Sequence, residues 1–291
     1  MKLSVIIVTF NHADEIGKCL QSLKASPVRS DMEILLIDNN SADKTVAVAS
    51  SFASDFEKFE LIQNNENLGF TQGVNQGLKL ASGDFVLLLN PDTIIPRETL
   101  PRLMSQLENS PQIGAISPQF RNPDGSIQPS CRRFPRRRDV IYNALGLSLL
   151  FPHSREFNYW KMGDFDHNQT REVEQPQGAF LLLRREVSSQ IGFLDERFPM
   201  FFSDVDLCRR IFGAGWKILF FPEVHIIHAK GTSVLRNRVK MLKTSHLSFY
   251  HYFQKYYSGK INRLLNYALG IFLLLLMTIR IIFHYFRLNK R

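Results

Sequence analysis

Apolar runs alternate with apolar positions at helical spacing through the first 120 residues, predicting a succession of strands and helices. Leu3–Val8, Glu33–Ile37, Phe59–Ile62, Phe85–Leu89 and Ile113–Ser117 read as strands. Between the first two, Ile16, Leu20 and Leu23 share a helix face that Asn11 is placed to cap. A second helix is expected from Ser41 through Val46 and Ala49, and a third carries Val74, Leu78 and Ala81. A fourth, after Pro96, presents Leu100, Leu103, Met104 and Leu107 on one face. Such alternation predicts an α/β protein: a mainly parallel sheet flanked by helices, with ligands at the carboxyl ends of its strands. Further on, residues 118–175 are the least regular stretch, and Gly178–Leu183 and Ile218–Phe221 read as strands. Ser203 opens a helix with Leu207, Ile211 and Phe212 on its apolar side.

The last apolar run differs from these. From Leu264 to Phe286 only Asn266, Arg280 and His284 interrupt it, so its 23 residues are long enough to cross a bilayer. Lys255, Lys260 and Arg263 precede it and Arg287, Lys290 and Arg291 follow. A single span would place positive charge on both sides, against the usual asymmetry. A helix lying in the interface on anionic lipid fits that arrangement better. A core helix packed on the body is the third reading.

Charge sharpens this division. The chain has 291 residues and a formal charge of +9, from 36 basic and 27 acidic side chains. Twelve of the basic residues, and no acidic one, lie between Val224 and Arg291. The 24 basic and 27 acidic residues before Val224 leave the body at −3, which argues against nucleic acid as a partner. Twenty-four Phe and ordinary Gly and Pro counts exclude a disordered, collagen-like or coiled-coil chain. Cys19, Cys131 and Cys208 have no metal-ligand spacing and read as reduced buried thiols. Met1–Phe10 is too short an apolar run for a secretion signal, so the body is expected in the cytoplasm.

Polar residues cluster where strands end. Asp38, in Asp38-Asn39-Asn40-Ser41, suits either a turn cap or a carboxylate accepting the imide N–H of a pyrimidine base. Asn67-Leu68-Gly69-Phe70, with Gly73 and Gly77, is a glycine-rich entry to a helix whose amides could approach a diphosphate. It lacks the P-loop pattern. Asp92 follows the buried strand and could hold a magnesium or manganese ion beside a diphosphate, with His228 as a second ligand ahead of Gly231-Thr232-Ser233. Ser203 and Asp206 have capping-box spacing, which gives Asp206 a structural role. Asp204 has none and is the candidate general base, with Asp206 as fallback. Arg132, Arg133, Arg136, Arg137 and Arg138 read either as a solvated loop or as a contact for phosphate or lipid headgroups.

Taken in order, seven segments resemble glycosyltransferase family 2 over about residues 3–250. They are Ser4-Val-Ile-Ile-Val-Thr-Phe-Asn11, Asp38-Asn-Asn-Ser41, Asn67-Leu-Gly-Phe70, Asn90-Pro-Asp92, Gln177-Gly-Ala179, Ser203-Asp-Val-Asp-Leu-Cys208 and His228. Within the family the likeness is to bacterial rhamnosyltransferases of surface polysaccharide synthesis. The resemblance implies a GT-A fold, Rossmann-like, and transfer with inversion from a nucleotide-diphosphate sugar. It implies that Thr9, Asp38, Asn67 and Gly69 line the nucleotide, and that Asp92 and His228 hold Mg2+ or Mn2+ at the diphosphate. Asp204 matches the base, and Gln177 and Gly178 lie on the acceptor side. The implied division is a 1–250 transferase domain, with a nucleotide-binding half at 1–120 and an acceptor-binding half at 121–250, and a membrane-associating tail at 251–291. A lipid-linked acceptor at the cytoplasmic face of the inner membrane follows from the same likeness.

Two positions depart from the family pattern: Asn90 at the first DxD position, and Ser203 where relatives usually carry Glu. They leave open a non-catalytic nucleotide-sugar-binding relative. A nucleotidyltransferase is disfavoured, because Thr9-Phe-Asn-His-Ala-Asp14 lacks the Gly/Arg/Lys-rich loop expected after a first strand.

Overall fold

The computed structural model describes residues 2–229 and 238–288, so Gly231-Thr232-Ser233 lie outside the described residues. The strands are β1 (Leu3–Thr9), β2 (Met32–Asp38), β3 (Lys58–Gln63), β4 (Phe85–Leu89), β5 (Thr93–Ile94) and β6 (Ile113–Arg121). They continue with β7 (Ile127–Gln128), β8 (Cys131–Arg132), β9 (Arg171–Glu172), β10 (Gln175–Pro176), β11 (Phe180–Arg184) and β12 (Lys217–His228). Eight form the path β3-β2-β1-β4-β11-β6-β12-β5, with β7 paired to β6 and β9 to β12, while β8 and β10 make a separate ribbon. The ladders among β1–β4 and between β6 and β12 are parallel, and β11 runs antiparallel between β4 and β6.

Strand alternation builds two cores. Leu3, Val5 and Ile7 face one core with Ile16, Leu20 and Leu23 of α1 (Ala13–Lys24) and Leu100, Leu103 and Leu107 of α4 (Thr99–Glu108). Ile6 and Val8 point the other way, toward Val74 of α3 (Phe70–Leu80) and the far half of the chain. Burial on both faces explains why β1, β2 and β4 are almost continuously apolar.

Several local expectations change. Asn11 does not cap α1: the helix follows His12, and the Asn11 carboxamide accepts from the Ala42 N–H at 2.8 Å, joining two loops. Ser41 does not start a helix either, because α2 runs Thr45–Ser50 and Asp43 accepts from the Thr45 N–H at its start. Gly73 and Gly77 serve packing: a Cβ would stand 2.8 Å from Val8 Cγ1 and 2.5 Å from Ile6 Cγ2 respectively, so only glycine lets α3 lie on β1.

The irregular stretch folds into β7, β8, α5 (Arg137–Ala144), α6 (Leu147–Leu150) and two short strand segments. Four arginines of its basic run are engaged internally. Arg133 forks onto Asp164 with two 2.9 Å bonds, Arg136 pairs with Asp139 at 2.8 Å, Arg138 reaches Glu156 at 3.2 Å, and Arg137 donates to Asn266 at 2.9 Å.

Next come α7 (Arg185–Ile191) and α8 (Ser203–Gly213), then helix Arg238–Tyr256, which buries Tyr252 and Phe253 in the second core. The apolar helix Lys260–Leu288 docks on it through Leu269, Leu273 and Asn266. Asn266, an interruption in the sequence pattern, donates to the Phe253 and Tyr257 carbonyls, each at 3.0 Å, and so closes the end of the preceding helix. The outward face stays apolar and exposed, with Leu264 at 71%, Ile271 at 63% and Leu275 at 59%, which excludes a buried core helix. Residues Lys260–His284 are long and apolar enough to cross a membrane, with mean hydropathy 2.0.

Candidate active site

The parallel register brings Thr9 beside Asp38 at the carboxyl ends of β1 and β2. Thr9 Oγ1 donates to Asp38 Oδ1 at 3.0 Å, and Ser41 donates to the same carboxylate through its N–H at 2.8 Å and its hydroxyl at 2.5 Å. Asp38 therefore does act as a turn cap; its Oδ2, with one donor, keeps acceptor capacity for a ligand. Next to it, Asn39 donates to the Gly69 carbonyl at 3.0 Å, and exposed Asn67 accepts from the Gly69 N–H at 3.0 Å. Gly69 has φ +87° and opens α3 with its Cβ position 3.2 Å from the Pro199 carbonyl oxygen, so both backbone and space call for glycine. Thr9, Asp38, Asn67 and Gly69 thus share one polar rim at the strand ends.

The loop after β4 carries Asn90 and Asp92. The run Ile218–Phe221 is part of a longer strand, β12, which continues to His228, and that last residue pairs opposite Thr93. This brings His228 Nε2 to 3.5 Å from Asp92 Oδ1. Gln128 fixes the imidazole: its Nε2 donates to the Asn122 side chain and to the His228 carbonyl, so its Oε1 is what meets Nδ1, at 2.7 Å. Nδ1 is therefore the donor, and in the neutral ring Nε2 turns a lone pair toward the Asp92 carboxylate. Two electron-rich atoms facing each other at that distance suit a cation between them, and carboxylate with imidazole is a donor set for Mg2+ or Mn2+. No group of three acidic, His or Cys side chains suited to a metal occurs among the described residues, so other ligands would complete its shell.

Asp204 sits in the first turn of α8. Phe202 just before it has φ +68°, the left-handed region that an aromatic residue seldom adopts. Packing of its ring on Phe249 and Tyr252, with centroids 4.5 and 5.5 Å away, maintains that entry. Ser203 donates to the Met200 carbonyl, so the expected capping box does not form. Asp204 Oδ2 accepts from Gln175 Nε2 and the Gly178 N–H, both at 3.1 Å, while Oδ1 accepts only from Val205 N–H at 2.9 Å. Oδ1 is the oxygen with capacity to take a proton. Burial raises this carboxyl above its ordinary range, opposed by those backbone hydrogen bonds and by the charge of Arg132.

Asp206 is not interchangeable with Asp204. It is fully buried and accepts from Lys255 Nζ at 2.5 Å, Tyr256 OH at 2.7 Å and Arg210 Nε at 2.9 Å, tying α8 to helix Arg238–Tyr256. The fallback base is therefore a structural carboxylate.

Gln177-Gly178-Ala179 joins the two chemical groups. The Gly178 N–H holds Asp204, and the next residue's carbonyl accepts from the Asn90 N–H at 2.9 Å. At Gly178 a Cβ would stand 2.9 Å from Asp204 Cβ, so glycine permits this approach. Asp204 and the Asn90–Asp92 loop are thus connected through two adjacent peptide units. Motif reading missed Gln128 and Gln175, because neither amide carries a signal until its partner's position is known.

Residues 4–192 match the family model of glycosyl transferase family 2. The chain belongs to glycosyltransferase family 2. It is accordingly a nucleotide-sugar-dependent glycosyltransferase with a GT-A-like fold. Among curated relatives it is similar to the N-acetylglucosaminyl-diphospho-decaprenol L-rhamnosyltransferase of Mycobacterium tuberculosis, at 29% identity over 88% of this chain and 85% of the relative. It is also similar to the rhamnosyltransferase WbbL of Escherichia coli K12, at 26% over 77% and 82%. Among solved structures it resembles the mannosyltransferase PcManGT from Pyrobaculum calidifontis in complex with GDP-Man and Mn2+, with TM-score 0.59, 21% identity and 89% of this chain covered. It also resembles Staphylococcus aureus TarS 1-349 in complex with UDP-GlcNAc, with TM-score 0.57, 16% identity and 85% of this chain covered. The chain spans 65% of the length of each of these two structures.

Proposed function

We infer that this transferase moves a sugar, rhamnose from a dTDP-type donor, with inversion onto a lipid-linked saccharide of a surface polysaccharide. The observation that carries the reading is the bridge through Gly178 and Ala179, which sets a carboxylate with a spare lone pair beside the Asp92 loop. The two named rhamnosyltransferases support the sugar, and the name of the first supports the acceptor class. Thr9, Asp38, Asn67 and Gly69 form the nucleotide rim, Gln177 and Gly178 the acceptor side, and Asp92 and His228 would hold the divalent cation. When bound, that cation neutralises charge developing on the leaving diphosphate. Asp204 Oδ1 takes the proton of the acceptor hydroxyl as its oxygen bonds to the anomeric carbon. The bond from that carbon to the diphosphate oxygen breaks on the opposite face, and the electron pair leaves with the nucleoside diphosphate. Residues 1–120 would thus bind donor and 121–250 acceptor.

The test is a transfer assay across nucleotide sugars, with product configuration read by NMR. Transfer with inversion is expected, abolished by EDTA and restored by Mn2+ or Mg2+. Retained configuration would defeat the mechanism, and full activity in chelated buffer would remove Asp92 and His228 from a metal role.

For location, the reading is a helix lying on the cytoplasmic face of the inner membrane, since one side of Lys260–Leu288 is docked on the body and the other exposed. Leu264, Ile271 and Leu275 lie on that exposed side and touch no core. Their triple replacement by Ser is expected to weaken partitioning onto anionic vesicles by ~10⁴-fold, at roughly 2 kcal/mol per side chain. Sedimentation with vesicles measures it, and unchanged binding would defeat the assignment.

A further inference from the structure

Arg132 differs from the other four arginines of its run. Its side chain makes neither a hydrogen bond nor an ion pair with any described residue; its guanidinium lies over the Trp160 ring, 5.1 Å from the centroid. In the β8–β10 ribbon it stands opposite Gln175, which places it on the same face as the amide that donates to Asp204. Lys161 brings a second cation close enough to repel the first, and its ammonium is bonded only to Ser148 Oγ, at 3.2 Å. Two neutral atoms of the same residues, Gln175 Oε1 and Trp160 Nε1, are buried without a hydrogen-bond partner.

Cations without a hydrogen-bonded counter-ion and orphaned polar atoms are costly to bury, and they gather here beside Asp204. A guanidinium fork, an ammonium and an indole N–H together present donors only, matched to an anion rich in acceptor oxygens. Gln175 Oε1 is left to accept from a hydroxyl. The donor diphosphate has its own place by Asp92 and His228, reached from Asp204 through Gly178 and Ala179, whereas Arg132 lies on the Gln175 side. We propose that Arg132 and Lys161 bind the diphosphate linking the acceptor saccharide to its lipid, and so set the sugar hydroxyl against Asp204. The proposal rests on the transferase reading above for the identity of the acceptor.

Fluorescence tests it without turnover. The chain has two tryptophans, and Trp216 Nε1 is bonded to Gln190 in another part of the fold. In a Trp216→Phe background the remaining signal is that of Trp160, under Arg132. Inorganic pyrophosphate, titrated in chelated buffer at constant ionic strength, is expected to change it saturably. Arg132→Gln should weaken that binding roughly tenfold or more, the loss of a charge-assisted hydrogen bond, and Arg132→Lys should weaken it less. No saturable change, or equal affinity in Arg132→Gln, would overturn the proposal. A saturating nucleoside diphosphate in the same chelated buffer should leave the pyrophosphate titration unaltered; competition would give the anion site to the donor and overturn the acceptor assignment. In kinetics, Arg132→Gln should raise KM for a diphosphate-linked acceptor, and leave donor KM and the KM for a phosphate-free alkyl glycoside unchanged. Equal loss on both acceptors would also overturn it. If the wild type transferred no sugar while the titrations behaved as expected, only the transferase reading would fall.

Discussion

Asp204→Asn is expected to lower kcat by about 10²–10⁴-fold while donor binding, read by calorimetry, stays at the wild-type value. The asparagine carbonyl can still accept from Gln175 and Gly178, so the local hydrogen bonds to Oδ2 have a substitute, but the acceptor proton has no destination. The pH profile carries a second signature. Burial holds the Asp204 carboxyl above the ordinary carboxylate range, and only the ionised form is a base. Activity should therefore fall as pH drops through that raised value, at a higher pH than an exposed carboxylate would give. This acid limb should be absent from the residual rate of the variant. Wild-type turnover in Asp204→Asn would remove the residue from the chemistry.

Asp206→Ala, two residues along, is expected to show the opposite division: a loss of roughly 3–5 kcal/mol in unfolding free energy, with kcat per folded molecule close to wild type. Asp206 is fully buried beneath Lys255, Arg210 and Tyr256, so its removal leaves Arg210 without its counter-charge and Lys255 with Asp195 alone. Burial and the hydrogen bond to Asp206 push the Tyr256 hydroxyl up, so it remains a donor to that carboxylate at any working pH. Urea midpoints measure the effect. Adding Arg210→Met should recover part of the loss, since the stranded charge disappears with it. A loss of kcat with an unchanged midpoint would exchange the roles of the two aspartates.

Most of the frame was legible from periodicity. The central strands and helices α1, α3 and α4 follow from apolar spacing, because a strand buried on both faces and a helix buried on one leave direct marks. Loops were read less well. Asn11, Ser41 and Ser203 carry helix-cap chemistry, yet each side chain bonds elsewhere: Asn11 and Ser41 in the loops after β1 and β2, Ser203 at a carbonyl preceding α8. Cap propensity states what a side chain can bond, and the approach of a distant segment decides what it does bond. Gly73 and Gly77 read like a phosphate-binding turn for a similar reason, since close packing of α3 on β1 also calls for glycine.

By itself the sequence determined the α/β alternation, the family, the two candidate groups Asp92 and Asp204, and the separation of an acid-free apolar tail from a mildly acidic body. These depend on local pattern and ordered motifs, which survive in one dimension. The tertiary structure decided which of two neighbouring aspartates keeps a spare lone pair, that Gln128 orients His228, and that Arg132 has no hydrogen bond or ion pair among the described residues while four nearby arginines are engaged. Those outcomes depend on the partner each charge meets in space, from residues as far apart in sequence as Arg137 and Asn266, and a buried charge is defined by its partner.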